Sequence, residues 1–164
     1  MTNENSHAMR RTDRRQNEDS AREVASKAPY GTLVMASPQA EPYGVPVSPV
    51  IEDDKIYFHG AAGTGRKFEC LCANPRCAMV FVSVSEPDEP AFSMNYCSAV
   101  FEGRATLVTD EIEKMHALWL IGARWAGSQS IAKRRAYIEA DMGNCDVWRI
   151  DIDAVSGKMR DMRR

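Results

Sequence analysis

The sequence predicts a mainly β fold: an antiparallel sheet closing toward a barrel, with helices packed outside it. Three observations carry this. About six β-rich stretches follow one another, most of them separated only by Pro-, Gly- or Asp-containing turn clusters, as in hairpins. The stretch Asp146-Val147-Trp148-Arg149-Ile150-Asp151-Ile152-Asp153 alternates apolar and polar residues with period two. The helical segments between strands are short and few, and no strand–helix–strand unit carries a dinucleotide-binding fingerprint.

Taken in order, residues 1–12 are polar and read as a flexible tail. Asn17-Glu18-Asp19-Ser20 offers capping groups for a helix over 21–28, and Pro29 ends it. Residues 30–36 form a strand, and 37–42, with Ser37, Pro38 and Pro42, form a turn. Residues 43–51 read as one strand in which Pro46 and Pro49 cannot donate ladder hydrogen bonds, so part of it is an edge or faces a ligand. Glu52-Asp53-Asp54-Lys55 turns the chain into a third strand over 55–61. A short helix over 65–73 stops at Asn74-Pro75. A buried strand over 76–85 leads to a proline-bearing loop at 86–90. The strand over 96–109 contains Gly103, a position for a bulge or a close approach. Thr109-Asp110 caps a helix in which Ile112, Met115, Leu118 and Trp119 recur at helical spacing. A further helix over 128–140 precedes the final strand, and 159–164 is a basic tail. The domain itself spans 13–158.

Composition narrows the function classes. With 164 residues, 44% apolar and 27% charged, the chain describes one ordinary globular domain. A net charge of −2 gives no global field for nucleic acid. No apolar run approaches the ~20 residues of a membrane span, and the N-terminal residues lack the apolar core of a signal peptide. Five cysteines without a C-x-x-C pair argue against a disulfide framework and for a reducing compartment, so a cytoplasmic location is expected.

The chemistry concentrates at 43–82. Ile56-Tyr57-Phe58-His59-Gly60-Ala61 brings a histidine into small residues, and Gly63-Thr64-Gly65 then presents Arg66-Lys67 at a helix start. Small residues let backbone approach a ligand closely, and a helix N-terminus with two cations suits an anion. A planar, phosphate-bearing cofactor fits, with its ring along the strand and its phosphate at Arg66 and Lys67. The spacing is not that of a P-loop. His59 is either a polar catalytic contact or a half-buried histidine bonded to a carbonyl. Cys70, Cys72 and Cys77 do not make a metal site, because the first two lie on different helix faces. Trp125 is a ligand wall or a dimer contact. Lys133-Arg134-Arg135 reads as a solvated face.

The ordered set Tyr30-Gly31-Thr32-Leu33, Pro42-Tyr43-Gly44-Val45-Pro46-Val47, Ile56-Tyr57-Phe58-His59, Gly65-Arg66-Lys67 and Asn74-Pro75 resembles the pyridoxamine 5′-phosphate oxidase-related flavoproteins. Met9-Arg10-Arg11-Thr12-Asp13-Arg14 and Val155-Ser156-Gly157-Lys158 are similar to the branch holding the nitroimidazole-resistance proteins. The resemblance implies an FMN-binding split barrel, a homodimer with flavin at the interface. Val45, Pro46, Val47 and Ser48 would line the isoalloxazine from one strand, and Phe58, His59, Gly60 and Ala61 from the next. Arg66 and Lys67 would hold the phosphate. Tyr96, Cys97 and Ser98 would reach flavin or substrate, often from the partner subunit. Two departures stand out. The C-terminal segment lacks the arginine and histidine that bind vitamin B6 in true oxidases, and Cys97 stands where much of the nitroimidazole-resistance branch has arginine. The implied activity is an FMN-dependent, nitroreductase-like oxidoreductase moving electrons from NADH or NADPH to a small acceptor. Two other readings remain: a module holding flavin (FMN or FAD) or haem without efficient turnover, His59 being an axial ligand in the haem case, and an interaction protein using the helix over 111–122 with the basic tail.

Overall fold

The computed structural model describes residues 9–160. The strands are β1 (Arg15–Gln16), β2 (Gly31–Ala36), β3 (Pro42–Val47), β4 (Val50–Glu52), β5 (Lys55–Ala61), β6 (Arg76–Asp88), β7 (Ser93–Leu107) and β8 (Cys145–Arg160). The helices are α1 (Glu18–Lys27), α2 (Arg66–Ala73), α3 (Glu111–Trp125) and α4 (Ile131–Asp141), with 3₁₀ turns at Thr12–Arg14 and Glu89–Ala91. All pairings are antiparallel, in the order β3-β2-β6-β7-β8-β5-β4, with β1 added to β8.

This order explains the proline-bearing stretch. The single strand expected over 43–51 is two strands, because Ser48 and Pro49 interrupt it and the halves pair with different neighbours. β3 pairs with β2, and β4 with β5. β3 and β4 are therefore the two edges of the sheet, although only two residues separate them in sequence. The sheet curls until its edges meet at that corner. Pro46 lies on an edge strand, where the missing N–H costs least. Asp53, at φ 50°, turns β4 into β5, a left-handed geometry aspartate tolerates better than most residues.

Gly103 marks a register shift between β7 and β8, where Glu102 faces Ala154 and Gly103 faces Ile152. A β-carbon there would collide with the Asp151 carbonyl, which is the close approach the glycine allows. The loop expected at 86–90 is instead the end of β6 and a 3₁₀ turn, since Glu86–Asp88 pair with Asn95–Ser93. β8 runs on to Arg160, so the first residues of the expected basic tail are strand. Residues 1–8 and 161–164, which hold most of both expected tails, lie outside the described residues.

Two apolar clusters divide the sheet's faces. The interior one joins Leu33, Ile56, Phe58, Met79, Phe81, Phe101 and Ile150 with Ala21 and Ala25 of α1. The outer one packs Tyr57 and Val147 against Ala117, Leu118 and Ile121 of α3 and Ile138 of α4. The stripe expected on α3 shifts accordingly: Leu118 is buried, whereas Ile112 is 82% exposed.

Candidate functional site

β5 builds the site through its alternation. Ile56 and Phe58 enter the interior cluster, and Tyr57 enters the outer one. Continuing the period, Gly60 lies on the interior side and His59 on the outer side, opposite Val147 of β8. The sequence places His59 and Lys67 in one constellation; the fold separates their side chains across the strand and ties them through the backbone. Lys67 Nζ donates to the His59 carbonyl at 3.0 Å and lies 5.4 Å from the centroid of the Phe58 ring. A β-carbon at Gly60 would sit 2.5 Å from that ammonium, so only glycine lets it rest there undisturbed.

Arg66 reaches the other way. Its guanidinium stacks 4.3 Å from the centroid of the Tyr43 ring on β3 and lies 4.0 Å from the Glu41 carboxylate. The first turn of α2 thus bridges β3 and β5 with one cation over each. Gly63 and Gly65, at φ 60° and 91°, shape the approach in geometry that favours glycine. The Gly63 N–H is held by Asp146 Oδ2 at 2.7 Å. Burial lowers the Lys67 pKa. Among the described residues no carboxylate comes within ion-pair distance of Lys67, and the hydrogen bond to the His59 carbonyl uses one of its three donors.

On the outer side, His59 opens onto a cavity of about 320 Å³ between β5, β8, α3 and α4. Leu118, Ile121, Trp125 and Ile138 line it, with Lys133, Arg134, Tyr137 and Asp141 around them. His59 keeps accessible surface, yet the walls displace much of its water. That desolvation, and secondarily the Lys67 charge, lowers its pKa and keeps the ring neutral at pH 7. Trp125 is fixed by Nε1 donating to the Pro49 carbonyl at 3.0 Å, at the corner where the sheet edges meet. Beside it, Arg124 donates to Ala25 and Ser26 carbonyls at 2.7 and 3.3 Å, closing the C-terminal turn of α1.

The remaining expected residues distribute unevenly. Val45 and Val47 are half-buried against the interior cluster, while Pro46 and Ser48 are exposed. Ala61 is exposed at the end of β5. Tyr96, Cys97 and Ser98 pair with Arg160, Met159 and Lys158, whereas His59 pairs with Val147, so within one chain they lie beside opposite ends of β8. Tyr96 Oη accepts from Arg14 at 3.4 Å and its ring lies 5.9 Å from Lys158 Nζ. Sequence reasoning missed Tyr43 under Arg66 and the α4 residues of the cavity. The latter had a signal: Arg134, Tyr137, Ile138 and Asp141 recur at one-face helical spacing.

A sequence model of the pyridoxamine 5′-phosphate oxidase family matches residues 17–159. The chain belongs to that family of flavin-binding split barrels. Among solved structures it is similar to a candidate 5-nitroimidazole antibiotic resistance protein from Bacteroides thetaiotaomicron, at 24% identity and TM-score 0.73 over 87% of this chain and 84% of that one. The flavocytochrome Anf3 from Azotobacter vinelandii matches at 18% identity and TM-score 0.75 over 96% of this chain and 74% of that one. An FAD-binding protein from Mesorhizobium loti matches at 21% identity and TM-score 0.61 over 90% and 98%. Compared with curated proteins, the sequence finds no significant match. These likenesses agree with the split-barrel fold.

Proposed function

We propose that the chain is an FMN-dependent oxidoreductase of nitroreductase-like type, acting as a cytoplasmic homodimer. The observation that carries this reading is the bridge made by α2, with Arg66 and Lys67 set over two strands at a helix N-terminus. A phosphate monoester matches that cradle: two cations, uncapped first-turn N–H groups and glycine at the closest approach. The residues present therefore fit the phosphate end of FMN. When bound, the flavin supplies the redox chemistry, taking electrons from NADH or NADPH and passing them to a small acceptor such as a nitro-aromatic compound. Lys67 and Arg66 neutralise the phosphate, and the exposed faces of Pro46, Ser48 and Ala61 leave room beside the strands. Neutral His59 offers a ring nitrogen that accepts or holds a proton at the cavity mouth.

An absorption spectrum of fresh protein, followed by release and chromatography of the chromophore, tests this. Two flavin bands, released FMN and bleaching by NADH or NADPH are the expected result. A colourless protein that also refuses added FMN sinks it. A second reading has its own observation: His59 faces an apolar cavity, the setting of an axial haem ligand. A sharp Soret band lost in His59→Ala would move the assignment to haem.

A further inference from the structure

We propose that the cavity between α3, α4 and the outer face of β5 and β8 binds a small aromatic monoanion, an aryl carboxylate in chemical class, with Arg134 as its charge partner. The volume of about 320 Å³ falls at the small-molecule end of ligand pockets, and Leu118, Ile121, Trp125 and Ile138 give it the apolar walls a ring requires.

Charge decides which ring. Around the cavity stand Lys133 and Arg134 against the single carboxylate of Asp141, with His59 neutral, so the lining carries one net positive charge. Lys133 Nζ is engaged by Gln129 Oε1 at 2.8 Å. Arg134 is differently placed. Its guanidinium lies 5.0 Å from the centroid of the Trp119 ring, its Nε is buried without a hydrogen-bond partner, and among the described residues no carboxylate lies within ion-pair distance. A buried donor left unpaired is unfavourable, and a planar guanidinium pairs most strongly with a planar carboxylate. A cationic ligand would meet two like charges, and a neutral one would offer Arg134 at most an uncharged acceptor, a weaker partner than a carboxylate. Tyr137, 72% exposed, forms the outer rim. Binding rests on this cavity alone; a role as the acceptor site rests on the flavin reading.

The test compares naphthalene carboxylate with its neutral carboxamide by titration calorimetry on purified protein. The carboxylate should bind about tenfold more tightly or better, the scale of one charge-assisted hydrogen bond. Arg134→Leu should reduce the carboxylate to the level of the amide while leaving FMN content unchanged. Ile121→Trp, which fills the cavity, should abolish binding of both. Lys67→Ala should retain carboxylate binding, so the site stands even where flavin binding fails. Equal affinity for the two compounds, absence of binding by both, or an unchanged carboxylate affinity in Arg134→Leu overturns the proposal.

Discussion

Lys67 combines a cost and a use. Half-buried, with its pKa lowered by burial, its ammonium is held where folding disfavours the charged form. Lys67→Met should therefore raise the Tm of FMN-free protein, while its FMN dissociation constant rises roughly ten- to a hundredfold, as loss of a charge-assisted contact implies. Flavin fluorescence titration beside a melting curve reads both. Gly60→Ala should act differently, because the added carbon meets only the flexible end of Lys67. Stability should change by less than about 1 kcal/mol, with FMN affinity falling as the ammonium is pushed aside. His59 has a folded pKa below its ordinary 6.5, so below that pH the unfolded chain binds the extra proton more readily than the folded one. Stability should fall as pH drops from about 6.5, and His59→Gln should flatten that slope in melts at pH 5 and 7.5. The identity of these residues was legible in the sequence, since glycine spacing and paired cations are local. Their sidedness was not, because it depends on β5 pairing with β8, whose residues lie some ninety positions later.

Among the elements, α3 is pinned at both ends, and the pins hold the cavity wall. Asp110 Oδ1 accepts the Glu113 N–H at 2.8 Å, capping the first turn. Glu113 then accepts from Tyr57 Oη at 3.0 Å and from Arg149 at 2.9 Å, joining helix to β5 and β8. Burial, with the Glu113 charge, pushes the Tyr57 phenol up to about 12, so it remains a donor throughout the working range. Glu113→Ala should lower unfolding free energy by about 1–3 kcal/mol, because it strands the Tyr57 hydroxyl and leaves the Arg149 guanidinium paired with Asp151 alone. Tyr57→Phe should lower it by about 0.5–1.5 kcal/mol. Urea denaturation measures both, and the reverse order would contradict the assigned hub. The start of α3 was visible in Thr109-Asp110, but its inward face was not. Ile112, in the first turn of α3, is exposed, and periodicity does not show where a helix runs out of partner. The stretch 43–51 failed for a similar reason, since a strand that changes partners keeps its β-rich composition.

At the scale of the molecule, Tyr96–Ser98 and His59 lie beside opposite ends of β8. If both serve one flavin, two chains must supply them. Sedimentation should accordingly give a mass twice the 18.3 kDa of the chain. Dilution to monomer should release FMN in parallel, whereas a monomer that holds FMN would assign Tyr96–Ser98 some other task. The mainly β class and a sheet closing toward a barrel were legible from hairpin spacing, while the strand order that sets β8 between β7 and β5 was not, because pairing between distant strands leaves no local trace.

The strand order also governs how the protein comes to exist. β8, the last described strand to be synthesised, lies between β7 and β5. Until residues 145–160 emerge from the ribosome, the β4–β5 hairpin has only itself to pair with, and the four-stranded β3-β2-β6-β7 piece exposes a long unpaired margin. Such margins invite association with other chains. A nascent chain stalled before Cys145 should therefore be protease-sensitive and chaperone-bound, and should become resistant in one step once β8 is available. On that outcome the native sheet forms after translation of this region rather than during it, with the Ser48-Pro49 corner closing only then.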